Sequence, residues 1–410
     1  MNKRILGMIM AGGEGARLYP LTRDRAKPAV TFGGKYRIID FVLSNFVNSG
    51  IYSMYVLIQF KAQSLIEHLR HGWQFSGLID DYFITPVPAQ MKTEEKAWYK
   101  GTADAIYQNL DLIDNFRPHI VAVFGADHIY RMDLMQMVAY HYEKNSEATV
   151  AVLPVPLPQA SAFGVVQVNE QWRIVGFEEK PEDPTPIPGN PSMALVSLGN
   201  YLFNKSLLTK ELIKDAAYNS EHDFGKSIFP DIFREKRVYA YDLKTNQVPG
   251  WVKEEELGYW RDVGTIKSYW EANMDLKNPN PIFPLYNPEW PLRTVNYNDP
   301  PAKFLFDEEG RRGIAVNSII SEGTTISGGR VADSILGRNT FIHSYSEVTN
   351  SILMDHVDVG RGARIRRAII DKDVQVPSEI EIGYNLERDK ERFYVDEESG
   401  IVVIPKGAVF

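Results

Sequence analysis

The stretch Met10-Ala-Gly-Gly-Glu-Gly-Ala-Arg-Leu18 follows directly after the apolar run Ile5-Leu6-Gly7-Met8-Ile9. A short apolar run closed by glycines predicts a buried strand followed by a tight turn. Glycines in such a turn let backbone N–H groups approach an anion closely, and Arg17 adds a planar cationic fork for phosphate. Glycine is also the usual residue of ordinary turns, so this stretch alone leaves a phosphate site and a plain turn both open.

Two familiar phosphate-binding loops do not fit this stretch. The ATPase loop ends in Gly-Lys-Ser or Gly-Lys-Thr, and the stretch has no such ending. The dinucleotide-binding loop needs a glycine at the position where Leu18 stands. A nucleotide-binding loop of another type therefore stays open.

The composition is that of an ordinary globular protein. The chain has 410 residues, enough for two or three domains with a substantial core. Its formal net charge of −8 makes a nucleic-acid binder less favoured, because such proteins are more often basic. The chain has no cysteine, which excludes disulfides and thiolate metal sites and fits a reducing compartment.

The sequence contains no convincing membrane or export signal. The apolar segment at the N-terminus is short and runs straight into the glycines, without a credible cleavage site. No other stretch approaches the roughly 18 uninterrupted apolar residues of a membrane span. We therefore expect a soluble, cytoplasmic protein.

Strand-like runs alternate with amphipathic, helix-like segments over residues 1–275. The candidate strands are 54–58, 120–124, 149–153, 165–168 and 174–177, and the candidate helices are 63–69, 103–116 and 133–144. This rhythm predicts an α/β domain of Rossmann-like type with a mostly parallel sheet. Ligands of such a sheet bind at the C-terminal ends of its strands.

The pattern changes in the last third of the chain. Residues 279–301 contain seven prolines, which predicts a semi-rigid linker over 276–312. Beyond it, aliphatic residues recur every four to seven positions: Ile326, Val331, Ile335, Ile342, Val348, Ile352, Val357, Ile365, Ile370, Val376 and Ile382. A hexapeptide rhythm predicts a left-handed parallel β-helix over 313–410. The alternative is a plain antiparallel β-domain, but spacing this short leaves little room for hairpin strands.

Charged residues cluster beside the glycine stretch and at the ends of predicted strands. Six cations fall within 21 residues: Arg17, Arg23, Arg25, Lys27, Lys35 and Arg37. Such a run is usually a solvated surface, but its position beside the glycines favours a polyphosphate site. Asp127 follows a predicted strand, where an acid is either a helix cap or a ligand-site residue. Together with Asp262 it could hold one Mg²⁺, and Lys180, after Glu179, could serve as a point charge for phosphate.

Several motifs, taken together and in order, resemble those of the bacterial glucose-1-phosphate adenylyltransferases. They are GGEGARL, RAKPAV, FGGKYRIIDFVLSN, WYKGTADA, DHIY, ASAFGV, FEEKP, HDFGKSIFP, YWRDVGT and PPAKF. The resemblance covers nearly the whole chain. The glycine motif is shared by all sugar nucleotidyltransferases, whereas FGGKYRIIDFVLSN, WYKGTADA and YWRDVGT are particular to this branch.

The resemblance implies that ATP and glucose 1-phosphate react to give ADP-glucose and pyrophosphate, the committed step of glycogen synthesis. It implies catalytic roles for Arg17, Lys27 and Asp127, and Mg²⁺ on Asp127 and Asp262. The implied ATP-binding residues are Gly12, Gly13, Gly15, Arg17, Lys27, Gln90, Gly101 and Thr102. The implied glucose-1-phosphate-binding residues are Tyr99, Gly164, Glu179, Lys180, Ser197 and Asp223.

The resemblance also implies a homotetramer regulated by phosphorylated metabolites. An anion site between the two domains would use Arg25, Arg37 and Arg366. Asp24 stands where some relatives have lysine, so we expect a weaker response to bisphosphorylated activators. Thr31 replaces a histidine, and Ala126 replaces a glycine beside the aspartate proposed to bind metal.

Three other interpretations stay open at this stage. A non-catalytic regulatory subunit would share the fold but lose metal and phosphate ligands, which this chain retains. An enzyme that transfers another nucleotide is permitted by the glycine loop and disfavoured by the branch-specific motifs. A hexapeptide acyltransferase would need a histidine within the β-helix, where His343 and His356 stand.

Overall fold

The computed structural model describes residues 4–75, 81–89, 98–250 and 257–410. The N-terminal domain holds these strands: β1 (Ile5–Met10), β2 (Thr31–Phe32), β3 (Tyr36–Arg37), β4 (Ser53–Ile58), β5 (Phe83–Pro88), β6 (Ile120–Gly125), β7 (His128–Tyr130), β8 (Ala148–Pro156), β9 (Gly164–Val168), β10 (Ile174–Glu179), β11 (Met193–Asn204), β12 (Val238–Asp242) and β13 (Trp260–Asp262).

The helices of this domain are α1 (Ile38–Asn48), α2 (Gln63–Gly72), α3 (Thr102–Tyr107), α4 (Leu110–Phe116), α5 (Leu134–Glu143), α6 (Leu157–Ala160), α7 (Lys205–Ala216), α8 (Phe229–Ile232) and α9 (Ile266–Leu276). All five predicted strands and two of the three predicted helices are confirmed. The predicted helix 103–116 is two helices. Asn109 separates them, because its side chain donates hydrogen bonds to the Ala105 carbonyl at 2.8 Å and to the Tyr99 hydroxyl at 3.0 Å.

The central sheet is mixed, and its parallel part contains β1, which ends at the glycine loop, and the strands beside it. Strand order is β10-β9-β11-β6-β1-β4-β5, and β8 joins both β11 and β12. β1 lies between β4 and β6, parallel to both, and β4 is parallel to β5. β11 runs antiparallel to β6, β8 and β9. The predicted Rossmann-like domain is therefore confirmed, with antiparallel strands added on one side.

Helices cover both faces of the sheet, which explains why β1 is apolar throughout. Leu6 and Met8 lie in the apolar core on one face, and Ile9 lies in the core on the other. Gly7 stands where a side chain would strike the ring of Phe46, because its Cβ would lie 2.7 Å from that ring. Within the described residues, no helix has both the length and the apolar character needed to cross a membrane.

The chain then passes through irregular structure into the second domain, which begins earlier than predicted. β14 (Lys303–Leu305) already pairs in parallel with β19 (Thr325–Ser327), so the first coil starts at Lys303 and not at residue 313. The further strands are β15 (Asp307–Glu308), β16 (Arg311–Arg312), β17 (Ile314–Val316), β18 (Ile319–Ile320), β20 (Arg330–Ala332), β21 (Ile335–Leu336), β22 (Phe341–Ile342), β23 (Glu347–Thr349), β24 (Ile352–Leu353), β25 (Asp358–Val359), β26 (Arg364–Arg366), β27 (Ala368–Ile370), β28 (Gln375–Val376), β29 (Glu381–Ile382), β30 (Tyr394–Val395) and β31 (Val402–Ile404), with α10 (Leu386–Lys390) between β29 and β30.

Successive coils stack most of these strands into three parallel sheets, whereas β15 and β16 form a separate antiparallel pair. The sheets run β14-β19-β22-β25-β28, β17-β20-β23-β26-β29 and β18-β21-β24-β27-β31, and β30 closes the last sheet in antiparallel pairing. Every aliphatic residue of the predicted rhythm is buried. Val331, Val348, Ile365 and Ile382 lie in register on successive coils. The parallel β-helix is therefore confirmed, and the antiparallel alternative is wrong for this segment.

The two domains share an apolar core and a buried ion pair. Leu21 and Phe32 of the first domain belong to the same apolar cluster as Met354 of the second. The Arg25 guanidinium lies 2.5 Å from a carboxylate oxygen of Asp371, and both side chains are almost fully buried. Arg25 therefore joins the segment after the glycine loop to the turn that follows β27.

Replacing Arg25 with alanine is expected to lower the free energy of unfolding by about 3–5 kcal/mol, because it leaves the Asp371 carboxylate buried without its cation. Urea denaturation followed by tryptophan fluorescence measures this change. Arg23→Ala is the matched control, since Arg23 forms an exposed pair with Asp24 and is expected to cost about 1 kcal/mol or less. Equal losses in the two variants would contradict the buried ion pair.

Candidate active site

A cleft of about 770 Å³ lies at the C-terminal ends of the parallel strands. The glycine loop after β1, Gln59 and Phe60 after β4, and Asp127 after β6 all line it. This is where an open α/β sheet is expected to bind ligands. The structure therefore brings the predicted nucleotide loop and Asp127 to one site.

The glycine loop needs its glycines to different degrees. Gly15 has a φ of 64°, and a Cβ there would lie 3.0 Å from side-chain atoms of Lys27 and Thr22. A Cβ on Gly12 would lie 3.3 Å from Gln59, whereas one on Gly13 would meet open space. The Thr22 hydroxyl donates to the Gly15 carbonyl at 3.0 Å. The loop thus turns sharply at Gly15 and leaves Gly13 open toward the cleft.

A two-stranded ribbon brings the two predicted metal-binding aspartates together. β7 and β13 pair antiparallel, and Asp262 lies opposite His128. The Lys27 ammonium lies between the two carboxylates, 3.0 Å from an oxygen of Asp127 and 2.8 Å from an oxygen of Asp262. Arg17 reaches the other oxygen of Asp262 at 3.4 Å. The predicted catalytic residues and metal ligands therefore form one charged cluster.

The charges of this cluster depend on one another. Burial opposes the charge of Lys27, yet Asp127 and Asp262 outweigh it and raise its pKa. Burial also opposes the charge of Asp127, but His128 and Lys27 outweigh it and hold its pKa well below the usual range. Burial lowers the pKa of His128 itself, whereas the Lys27 ammonium donates a hydrogen bond to each of the two carboxylates.

The cluster also contains a residue that the sequence did not single out. Among the described residues, Asp127, His128 and Asp262 form the one group of potential ligands whose donor atoms all lie within 4.8 Å of one another. The His128 ring packs against the Trp260 ring, with ring centres 4.5 Å apart and planes tilted by 38°. Its position directly after Asp127 in the DHIY motif was the available signal.

Acidic residues and one lysine form the other half of the cleft. Glu179 is the last residue of β10 and Lys180 follows it, and their charged atoms lie 3.7 Å apart. Burial and then the nearby carboxylate of Asp223 raise the pKa of Glu179. Tyr99 also lines the cleft, and Asn109 holds its hydroxyl. Carboxylates beside a lysine suit a ligand that carries both hydroxyl groups and a phosphate.

Gly164 lacks a side chain where the Glu179 carboxylate needs space. A Cβ on Gly164 would lie 2.8 Å from a carboxylate oxygen of Glu179, and a Cβ on Gly225 would collide with the same oxygen. The Glu179 carboxylate therefore fits between two glycine backbones. Gly225 was not singled out from the sequence, although it lies in the quoted HDFGKSIFP motif.

Comparison with known proteins agrees with this geometry. The family model described as "Nucleotidyl transferase" matches residues 6–279, and the model "GlmU-like, C-terminal hexapeptide" matches residues 300–404. The glucose-1-phosphate adenylyltransferase of Deinococcus radiodurans is 52% identical over 416 residues and covers 100% of both chains. Those of Thermus thermophilus and Aliivibrio fischeri are 55% identical over 411 residues and 52% identical over 404, covering 99% and 98% of each chain.

The chain belongs to the glucose-1-phosphate adenylyltransferase family. The recognition made from the motifs is confirmed.

Some of the other predicted site residues line the cleft, and others do not. Gly101 and Thr102 line the cleft, whereas Ser197 lies buried on β11 and donates toward the Tyr201 hydroxyl at 3.5 Å. Tyr201 lines the cleft itself and was missed from the sequence. Gln90 lies outside the described residues.

The three arginines of the predicted regulatory site do not come together. Arg25 is buried against Asp371, which follows β27, whereas Arg366 belongs to β26, which precedes β27. The two arginines therefore stand at different edges of the β-helix. Arg37 lines an interdomain pocket with Lys372, while Arg366 lines a separate pocket with Tyr384.

Proposed function

We propose that the protein transfers the adenylyl group of ATP to glucose 1-phosphate, giving ADP-glucose and pyrophosphate. The observation that carries this proposal is a single cleft whose two halves suit the two substrates. Lys27 and Arg17 stand beside the glycine loop, and Glu179 and Lys180 stand on the opposite side. The full-length similarity to glucose-1-phosphate adenylyltransferases supports the same reaction.

The chemistry explains which side chains the site needs. The nucleophile is already a phosphate oxygen of glucose 1-phosphate, so no general base or covalent residue is required. The difficulty lies in bringing two anions together and in neutralising charge as pyrophosphate leaves. We assign Arg17 and Lys27 to the leaving pyrophosphate, and Lys180 to the phosphate of the sugar. Holding the two substrates in one cleft supplies the favourable orientation.

We further propose that Asp127 and Asp262 hold Mg²⁺. Their carboxylate oxygens suit a hard cation, and the two groups already share one positive charge, that of Lys27. When bound, the ion would add positive charge where the phosphates of ATP meet the site. Ala126, beside Asp127, is fully buried.

Other functions have less support in the structure. Arg17, Lys27, Asp127, Lys180 and Asp262 line or border one cleft, which disfavours a non-catalytic regulatory subunit. The full-length similarity to glucose-1-phosphate adenylyltransferases disfavours an acyltransferase. Pyrophosphate release from ATP and glucose 1-phosphate tests the proposal, with UTP in place of ATP and acetyl-CoA as the controls. Pyrophosphate release with UTP but not with ATP would contradict the assignment of ATP as the nucleotide.

Asp127→Asn is expected to reduce turnover by about two to three orders of magnitude while the protein stays folded, because an amide binds a hard cation poorly and carries no charge. Steady-state rates of pyrophosphate release, with circular dichroism as the folding control, measure this effect. An Asp127→Asn enzyme with unchanged turnover would remove the metal assignment.

Lys180→Ala is expected to raise the KM for glucose 1-phosphate far more than the KM for ATP, because this lysine is assigned to the sugar phosphate alone. Both constants come from initial rates at saturating co-substrate. Lys214→Ala is a suitable control, since Lys214 is exposed and pairs with the exposed Asp231 at 3.0 Å. Equal changes in both KM values would contradict the assignment.

We also propose that phosphorylated metabolites regulate the enzyme at the interdomain pocket of about 270 Å³. Arg37 and Lys372 both line this pocket, together with Glu67, Asp373 and the paired Arg338 and Asp355. Burial, and then repulsion from Arg37 and Arg25, lowers the pKa of Lys372 to about 8. An anion bound between Arg37 and Lys372 would relieve that repulsion, and this supports a phosphate site there.

Lys372→Ala is expected to weaken the response to phosphorylated effectors, and Arg366→Ala to leave it intact, because Arg366 stands at another edge of the β-helix. Activity titrations with fructose 1,6-bisphosphate, fructose 6-phosphate, pyruvate and AMP compare the two variants with the wild type. A response that Arg366→Ala abolishes and Lys372→Ala preserves would place the regulatory site elsewhere.

A homotetramer, a place in glycogen synthesis and a cytoplasmic location complete the proposal. The first coil of the β-helix supports assembly, because its strands end the sheets and expose Phe304, Phe306 and Val316. The opposite end is covered by β30 and α10. Uncovered strand edges are usually protected by a partner, and closed symmetry is the common form of such assemblies.

A further inference from the structure

The Thr102 hydroxyl donates its only hydrogen to a residue in the half of the cleft assigned to the sugar. Its Oγ1 donates to Asp223 Oδ2 at 2.8 Å and accepts the backbone N–H of Phe224 at 3.1 Å. A threonine hydroxyl carries one donor hydrogen. The side chain of Thr102, assigned to ATP from the sequence, therefore has no hydrogen left to donate to a nucleotide.

The Asp223 carboxylate is held from two directions. Its other oxygen accepts the backbone N–H groups of Gly225 at 2.8 Å and of Lys226 at 3.2 Å. These two bonds belong to the turn that Asp223 caps. They fix one carboxylate oxygen but leave the carboxylate plane free to rotate about it. The Thr102 hydroxyl fixes the second oxygen, and with it the plane of the carboxylate.

The backbone joins the same two segments. The carbonyl of His222 accepts the N–H groups of Ala103 at 2.8 Å and of Asp104 at 3.2 Å. Gly101 packs so closely on this carbonyl that a Cβ would collide with it. The His222 ring is in turn held by Asp215, at 2.7 Å. The start of α3 and the segment before Asp223 therefore form one rigid contact across the cleft.

Orientation matters for Asp223 because a second carboxylate stands nearby. Glu179 and Asp223 both line the cleft, and the Asp223 carboxylate raises the pKa of Glu179. Without the Thr102 hydroxyl, electrostatic repulsion favours a carboxylate turned away from Glu179. Two carboxylates in fixed planes offer acceptors in defined directions, which is what recognition of sugar hydroxyl groups requires.

We propose that Thr102 is a positioning residue for Asp223, holding its carboxylate in the orientation that receives the sugar of glucose 1-phosphate. This inference rests on the proposed function. It assigns Thr102 to the recognition of glucose 1-phosphate and not to ATP, although the residue lies in the WYKGTADA segment beside the half of the cleft assigned to the nucleotide.

The test uses Thr102→Val, which keeps the shape of the side chain and removes the hydroxyl. The KM for glucose 1-phosphate is expected to rise about 10- to 100-fold, the range of a hydrogen bond to a charged group, with the KM for ATP unchanged. Thr102→Ser retains the hydroxyl and is expected to restore the wild-type KM. Thr245→Val is the matched control, because Thr245 is exposed and its hydroxyl donates to the Asp242 carbonyl outside the cleft.

A double-mutant cycle with Asp223→Asn separates positioning from a general loss of structure. If Thr102 acts through Asp223, Thr102→Val is expected to add little to the effect of Asp223→Asn. Full additivity of the two changes would overturn the inference. So would a raised KM for ATP with an unchanged KM for glucose 1-phosphate.

The wild-type assay keeps this inference distinct from the proposed function. A wild-type enzyme that releases no pyrophosphate from ATP and glucose 1-phosphate would overturn the proposed function itself. An active wild type with an unchanged Thr102→Val variant would overturn only the role of Thr102.

Discussion

The ammonium of Lys27 between Asp127 and Asp262 is the interaction on which the site depends. Two carboxylates this close repel each other, and a cation between them makes the arrangement stable. The β7–β13 ribbon brings the two acids together from distant parts of the chain. Lys27 begins a helical turn, Lys27–Ala29, and its side chain has room beside the glycine loop because Gly15 carries no Cβ.

The rest of the molecule positions this charged cluster and forms the other half of the cleft. The parallel strands end at one level, so the nucleotide loop and Asp127 meet there. On the opposite side, Glu179 fits between Gly164 and Gly225, and the Thr102 hydroxyl fixes Asp223. In the proposed function, the cations recognise phosphate groups and the carboxylates recognise hydroxyl groups. Arg25 connects this domain to the β-helix, where a second group of cations lines the interdomain pocket.

Much of the architecture could be predicted because it follows from periodicity. The apolar run of β1 is buried on both faces, and the aliphatic rhythm after residue 313 is the inward face of stacked coils. Residues that follow predicted strands, such as Asp127 and Lys180, could be placed at the cleft for the same reason. The motifs then identified the family from the sequence alone.

Other features depend on contacts that periodicity does not specify. The rhythm could not show that the first coil begins at Lys303, because its strand has an exposed phenylalanine in place of the aliphatic repeat. Nor could it show which edge of the β-helix Arg366 occupies, since a repeat gives the coil and not the neighbouring domain. The partner of Thr102 lies 121 residues away, and its bond appears only when α3 packs against the segment before Asp223.

The most direct test of this account is the rate of pyrophosphate release by Lys27→Met, which removes the central charge and keeps the length of the side chain. The account predicts a fall of about two to three orders of magnitude in kcat, with a KM for glucose 1-phosphate that stays near the wild-type value. A Lys27→Met enzyme that folds and turns over at the wild-type rate would contradict it.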